Sequence, residues 1–135
     1  MNRSRIRILF VDDSPLVLEA IKRALMDRQD DWEIEYADSG EHALALAART
    51  RFDVIVTDLR MPGMDGDVLI ERMRALDTGI CCMVLCGDPE TPSAAAMARQ
   101  GHIILEKPCD GPTLEAALEA AIAQIGSDPG KAEAT

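Results

Sequence analysis

Aromatic residues are scarce in this chain: one Trp, one Tyr and two Phe make up 3% of 135 residues. A core therefore has to be aliphatic and alanine-rich, and the 47% hydrophobic content supplies it. Positive charge is also short. Lys and Arg number 14 against 24 Asp and Glu, a net charge of −10, which argues against direct nucleic-acid binding because phosphate contacts need clustered Lys and Arg. No apolar stretch approaches the roughly 20 residues that span a bilayer, and no secretory signal is read at the start, so no membrane association is expected. The four cysteines, Cys81, Cys82, Cys86 and Cys109, show neither zinc-ligand spacing nor a CxxC pair. These absences read as a reduced, soluble, cytoplasmic protein. The length fits one domain with a core large enough to need no staple.

What the chain does have is a set of short apolar runs that end in charge. Ile8-Leu9-Phe10-Val11 runs into Asp12-Asp13, Val54-Ile55-Val56-Thr57 into Asp58, and Ile103-Ile104-Leu105-Glu106 into Lys107-Pro108. Runs of this kind suit strands buried on both faces of a parallel sheet. In open sheets the functional groups collect outside the carboxyl ends of the strands. Three parallel neighbours would bring three carboxylates and one ammonium to one edge.

Strands and helices alternate along the chain without any longer repeat. The first strand covers 6–11; Ser14 then caps a helix with Pro15 at its first position, running to about Arg28 with Val17, Ile21, Ala24 and Leu25 inward. Trp32, Ile34 and Tyr36 alternate with Glu33 and Glu35, as an edge strand exposed on one side would. Ser39-Gly40 opens a second helix through Ala43, Leu44 and Ala47. A third strand covers about 53–57, followed by a Pro- and Gly-broken loop from Leu59 to Gly66 and a helix over about 66–76. The fourth strand spans 81–86, a short Ala-rich helix follows Thr91-Pro92, and residues 102–106 form the fifth strand. Leu114, Leu118, Ala121, Ile122 and Ile125 mark the last helix by their 3.6-residue spacing. Residues 1–125 thus form one α/β domain, and 126–135 read as a flexible tail or the start of a linker.

Side-chain chemistry narrows the function. Phosphoryl transfer needs a nucleophile, a cation bridging phosphoryl oxygens, and positive charge where negative charge accumulates. Asp58, alone at the end of the central buried strand, is the candidate nucleophile. Asp12 and Asp13 are candidate ligands of Mg2+ (or Mn2+), one direct and one partly through water. Lys107 is the candidate phosphate partner. Clustered carboxylates raise one another's pKa, so metal binding should weaken as pH falls. Read alone, Asp12 and Asp13 serve equally well as acids capping the first helix, and Lys107 as a surface lysine. Met61, Met64 and Met73 read as packing, His42 as an exposed helix residue and His102 as the start of a strand.

In their order and spacing, Asp12-Asp13, Asp58, the Pro62-Gly63-Met64-Asp65-Gly66 turn and Lys107-Pro108 make residues 5–125 resemble the receiver domain of two-component response regulators, the CheY-like superfamily. The resemblance implies a flavodoxin-like, doubly wound parallel sheet of five strands in the order 2-1-3-4-5 with five helices. It implies that Asp58 accepts a phosphoryl group from a histidine kinase or phosphotransfer protein, and that the Arg60 backbone carbonyl joins Asp12, Asp13 and Asp58 around the metal. It also implies a cis Lys107–Pro108 bond. A receiver is a signalling domain that at most assists its own phosphorylation and dephosphorylation, not an ordinary enzyme. Output would pass to a protein or attached domain through the surface of helix four, strand five and helix five; a homodimer stays open.

Two positions depart from the family pattern. Cys86 stands where receivers carry the Thr or Ser that bonds a phosphoryl oxygen, and a thiol is a much weaker donor. Ile104 stands where a switch Tyr or Phe is usual. Both changes bear on switching, and they keep alive the alternative of a degenerate receiver that docks proteins without phosphorylation. Cys86 and Cys109 should lie near the same edge, with reduced thiols as the expectation. A haloacid-dehalogenase-type phosphatase would need a second acid where Arg60 stands, and a flavodoxin would need a Ser/Thr/Gly-rich phosphate loop after the first strand.

Overall fold

The structure, a computed structural model, describes residues 5–127. Five strands form one sheet: β1 (Ile6–Val11), β2 (Trp32–Ala37), β3 (Val54–Asp58), β4 (Cys81–Cys86) and β5 (Ile103–Glu106). All neighbouring pairs are parallel and the order is β2-β1-β3-β4-β5, the flavodoxin-like arrangement. Five helices connect and cover them: α1 (Pro15–Ala24), α2 (Gly40–Arg49), α3 (Gly66–Leu76), α4 (Pro92–Arg99) and α5 (Gly111–Ser127).

The two-residue period of the strands divides the core. Ile8, Phe10, Val54, Val56, Met83 and Leu85 face Leu18 and Ile21 of α1 and Leu114, Leu118 and Ala121 of α5. Leu9, Val11, Ile55, Cys82 and Val84 face the other way, toward Ala43 of α2, Leu69, Ile70 and Met73 of α3, and Ala94 and Met97 of α4. Because both faces are covered there, Ile8–Val11 of β1, Val54–Val56 of β3 and Cys82–Cys86 of β4 carry no polar alternation and appear as continuous apolar runs, whereas the edge strand β2 alternates. Met61, Met64 and Met73 all pack into the second cluster.

Helix starts follow local chemistry. Ser14, Ser39 and Thr91 accept hydrogen bonds from Val17 N, His42 N and Ala94 N. Each such cap contributes about 1 kcal/mol. At the opposite end of the sheet, Asp53 Oδ2 accepts from Arg7 N at 2.9 Å, so this buried carboxylate closes the start of the β1–β3 ladder.

The structure corrects three local expectations. The first helix ends at Ala24, and a separate 3-10 turn, Met26–Arg28, follows. That break lets the Arg28 guanidinium lie 4.3 Å over the Trp32 ring and pair with Asp31 and with Glu115 and Glu119 of α5. Ala24 is exposed rather than inward, on the edge of α1 where the Gly111 backbone at the head of α5 comes close to its Cβ. The last helix continues through Ser127, two residues past the expected end, and the rest of the expected tail, 128–135, lies outside the described residues. Smaller shifts put Asp58 inside β3 as its last residue and His102 just ahead of β5. Among the described residues no helix is long and apolar enough to cross a membrane, and all four cysteines are free thiols.

Candidate functional site

Parallel strands place every carboxyl end on one side of the molecule. Asp12 and Asp13 follow β1, Asp58 closes β3, and β1 and β3 are direct neighbours. Their side chains converge: one carboxylate oxygen from each lies within 4.8 Å of the others. Lys107, following β5, reaches across β4 to this group. Its Nζ lies 3.0 Å from Asp58 Oδ1 and 3.7 Å from Asp12 Oδ2. The Lys107–Pro108 peptide bond is cis.

The three carboxylates differ in surroundings. Asp12 is 2% exposed, Asp58 is buried near the surface, and Asp13 is open to solvent. Asp12 Oδ1 accepts from Ser14 N at 2.9 Å, while Asp12 Oδ2 has no hydrogen-bond partner. Burial raises the Asp12 pKa above its ordinary value; Ser14 N opposes this, Asp58 adds to it, Lys107 opposes it and Asp13 adds to it. A buried carboxylate oxygen with no donor beside two further carboxylates is a donor set for a hard divalent cation. The residues present therefore fit Mg2+, and the open position of Asp13 fits a ligand that keeps part of its water.

Other residues hold this group in place. Gly66, the first residue of α3, donates its N–H to Leu59 O at 2.8 Å. A Cβ added at Gly66 would lie 2.3 Å from the Asp58 carbonyl oxygen, so only glycine lets α3 start this close to the strand end. Asp65 Oδ1 accepts from Met61 N, which ties the loop after Asp58 to the head of α3. Buried Thr57 donates its hydroxyl to the Asp58 carbonyl at 2.9 Å. In the sequence Gly66 and Asp65 are visible only as turn formers; nothing local marks the contact with Asp58. Thr57 carries no signal of its own.

Cys86 is the last residue of β4, buried, with Glu106 as its register partner on β5. Burial pushes the Cys86 thiol up and the charge of Glu106 pushes it further, while Asp88 acts both ways, its charge raising the pKa and its backbone hydrogen bond lowering it. Ile104 is half-buried opposite Val84 and packs against the core cluster shared by α2, α3 and α4. His42 is exposed and pairs with Asp38 through Nδ1 at 3.2 Å. The exposed Arg60 lies two residues past Asp58 in the loop.

Residues 8–119 match the family model of the response regulator receiver domain. A response regulator receiver protein of Anaeromyxobacter sp. (strain Fw109-5) is 38% identical over 109 residues, covering 80% of this chain and 45% of that protein. The transcriptional regulatory protein GlrR of Escherichia coli (strain K12) is 30% identical over 125 residues, covering 92% of this chain and 28% of that protein. The chain thus spans less than half the length of these curated relatives. Among solved structures, the signal receiver domain of an HD domain-containing protein from Pseudomonas fluorescens Pf-5 superposes with a TM-score of 0.83 at 28% identity, covering 92% of this chain and 99% of that one.

Proposed function

The chain belongs to the response regulator receiver domain family, and from that premise we propose that it accepts a phosphoryl group on Asp58 from a histidine kinase or phosphotransfer protein. The observation that carries this reading is the convergence of Asp12, Asp13 and Asp58 within 4.8 Å, with Lys107 Nζ 3.0 Å from Asp58. An Asp58 carboxylate oxygen attacks phosphorus, the bond from phosphorus to the donor nitrogen breaks, and the nitrogen leaves with the electron pair.

Asp12, Asp13, Asp58 and the Arg60 backbone carbonyl would hold Mg2+, which when bound would supply positive charge against the phosphoryl oxygens. Lys107 already faces the reacting carboxylate, so it supplies a second positive charge without reorganisation. Gly66 and Thr57 fix the backbone carrying Asp58, and Asp65 fixes the loop carrying Arg60. The domain acts in the cytoplasm and passes its state to a downstream protein or attached domain through the surface of α4, β5 and α5.

Cys86 sets the consequence of phosphorylation rather than its chemistry. Its thiol occupies the place of a hydroxyl donor but forms only weak hydrogen bonds, and Ile104 lacks the hydroxyl of a switch tyrosine. The phosphoryl group is accepted, and its pull on α4 is weakened.

Incubation with Mg2+ and a small phosphodonor, followed by intact-mass measurement beside an Asp58→Asn variant, tests the central reading. One added phosphoryl group that disappears in the variant and on chelation of the metal is expected. Absence of any Asp58-dependent modification overturns it in favour of docking without phosphate. For the switch, Cys86→Thr is expected to enlarge the phosphorylation-dependent NMR shifts in α4 and β5; unchanged shifts would remove that role from Cys86.

A further inference from the structure

In a chain with 14 Lys and Arg and a net charge of −10, three arginines meet at the end of the sheet remote from Asp58. Arg7 comes from the start of β1, Arg49 from the last turn of α2 and Arg51 from the loop entering β3. With Thr50 they line a cavity of about 330 Å³. Arg49 complements the carbonyl end of α2, but that dipole does not account for Arg7 and Arg51, which other elements supply. Arg7 Nη1 lies 3.0 Å from Glu33 Oε1, and Arg51 Nε lies 3.1 Å from Asp77 Oδ2. Each pair occupies one nitrogen of a guanidinium that presents five N–H donors. Exposed Arg49 makes no ion pair among the described residues, and the Thr50 hydroxyl beside it has no hydrogen-bond partner there.

A second cavity, of about 540 Å³, adjoins the first, because Arg49, Thr50 and Arg51 line both. It lies between the ends of α2 and α3, and its floor is apolar. Phe52, Met73 and Ile80 are buried members of the core cluster, while Leu76 lines the same cavity and is 62% exposed. Its acid among the described residues is Asp77, already engaged by Arg51 and by Gly79 N. Both volumes fall in the range of small-molecule sites, which combine apolar walls with a few convergent polar groups.

We infer that the two joined cavities bind a small amphipathic anion, with an alkyl or acyl chain against Phe52, Met73, Leu76 and Ile80 and a carboxylate or phosphate head on Arg49, Thr50 and Arg51. The planar guanidinium fork matches carboxylate and phosphate oxygens in pairs. Arg7, on the far side of the smaller cavity, adds a further positive charge behind the head. The site shares no residue with the edge that carries Asp58, so it stands or falls independently of phosphotransfer.

Octyl phosphate and octanoate are the test ligands, titrated into the protein and followed through its amide NMR shifts. Octylammonium is the control of opposite charge. Saturable shifts centred on residues 47–53 and the end of α3 are expected for both anions, with octylammonium at least tenfold weaker. Arg49→Gln is expected to weaken octyl phosphate about tenfold, and Leu76→Ser to weaken it through the chain. Both residues are exposed; the comparison of the two charges on the wild type serves as the test should either variant fail to fold. Octylammonium binding as tightly as octyl phosphate, or an affinity indifferent to Arg49→Gln, overturns the inference. Sedimentation with phosphatidylglycerol vesicles, without saturable binding of the soluble anions, would assign the arginines to a lipid surface and overturn it too.

Discussion

Asp12 carries its carboxylate where water barely reaches, and one of its oxygens receives no hydrogen bond. Burial raises its folded pKa, so the folded state favours the protonated form. For a carboxylate shifted this way, stability falls as pH rises from the ordinary value through the folded one, and the full cost is present above the folded value. Asp12→Asn is therefore expected to stabilise the metal-free protein by about 1 kcal/mol, roughly 3–5 °C in Tm, while weakening Mg2+ binding at least tenfold. Thermal unfolding beside a Mg2+ titration checks both; a lower metal-free Tm would contradict the account. His102 obeys the opposite sign. Burial lowers its pKa below 6.5 and Arg74 lowers it further, with Asp67 and Glu71 lining the same groove between α3 and α4. The unfolded state thus binds the extra proton, and stability drops as pH falls through 6.5 toward the folded value. Urea midpoints at pH 8 and pH 5.5 should differ less in His102→Gln than in the parent protein.

Gly66 shows what an element end can demand. In an unconstrained helix, Ala is favoured over Gly by about 1 kcal/mol. Here the added Cβ would meet the Asp58 backbone oxygen at 2.3 Å, a neighbour that cannot swing aside. Gly66→Ala is expected to destabilise by about 2–4 kcal/mol and to weaken Mg2+ binding by moving Asp58. A neutral or higher Tm in chemical or thermal unfolding would show that α3 starts with slack. Elements themselves are legible in the sequence wherever the cause is local. The buried strands announce themselves by continuous apolar runs, and Ser14-Pro15 and Thr91-Pro92 mark helix starts. The break at Leu25 is not legible, because two of the partners it lets Arg28 meet, Glu115 and Glu119, lie far along the chain.

At the scale of the molecule, the proposed metal binding would be linked to folding through the same carboxylates. Mg2+ that binds only the folded state at 100 times its Kd stabilises by about 2.7 kcal/mol. Tm is expected to climb with Mg2+ concentration in the wild type and to stay flat in a variant carrying both Asp12→Asn and Asp13→Asn, as differential scanning fluorimetry would show. The candidate site is legible in the sequence as a pattern of charges at the ends of apolar runs. The strand order that unites them comes from the family resemblance, since no periodicity says that β1 lies between β2 and β3. The supports of the site, Thr57 and Gly66, stay hidden because their partner is a backbone oxygen.

Trp32 has a practical consequence for any optical experiment. It is the chain's single tryptophan, it begins the edge strand β2, and it belongs to the α1 and α5 side of the core. The length of β2, roughly 17–20 Å, separates it from the carboxyl ends of the strands. Its indole, covered by Arg28, emits from the far end of the edge strand, away from the candidate site. Intrinsic fluorescence will therefore register loss of the native state and stay nearly silent during signalling, so an emission assay of activation needs an indole placed on the α4 side.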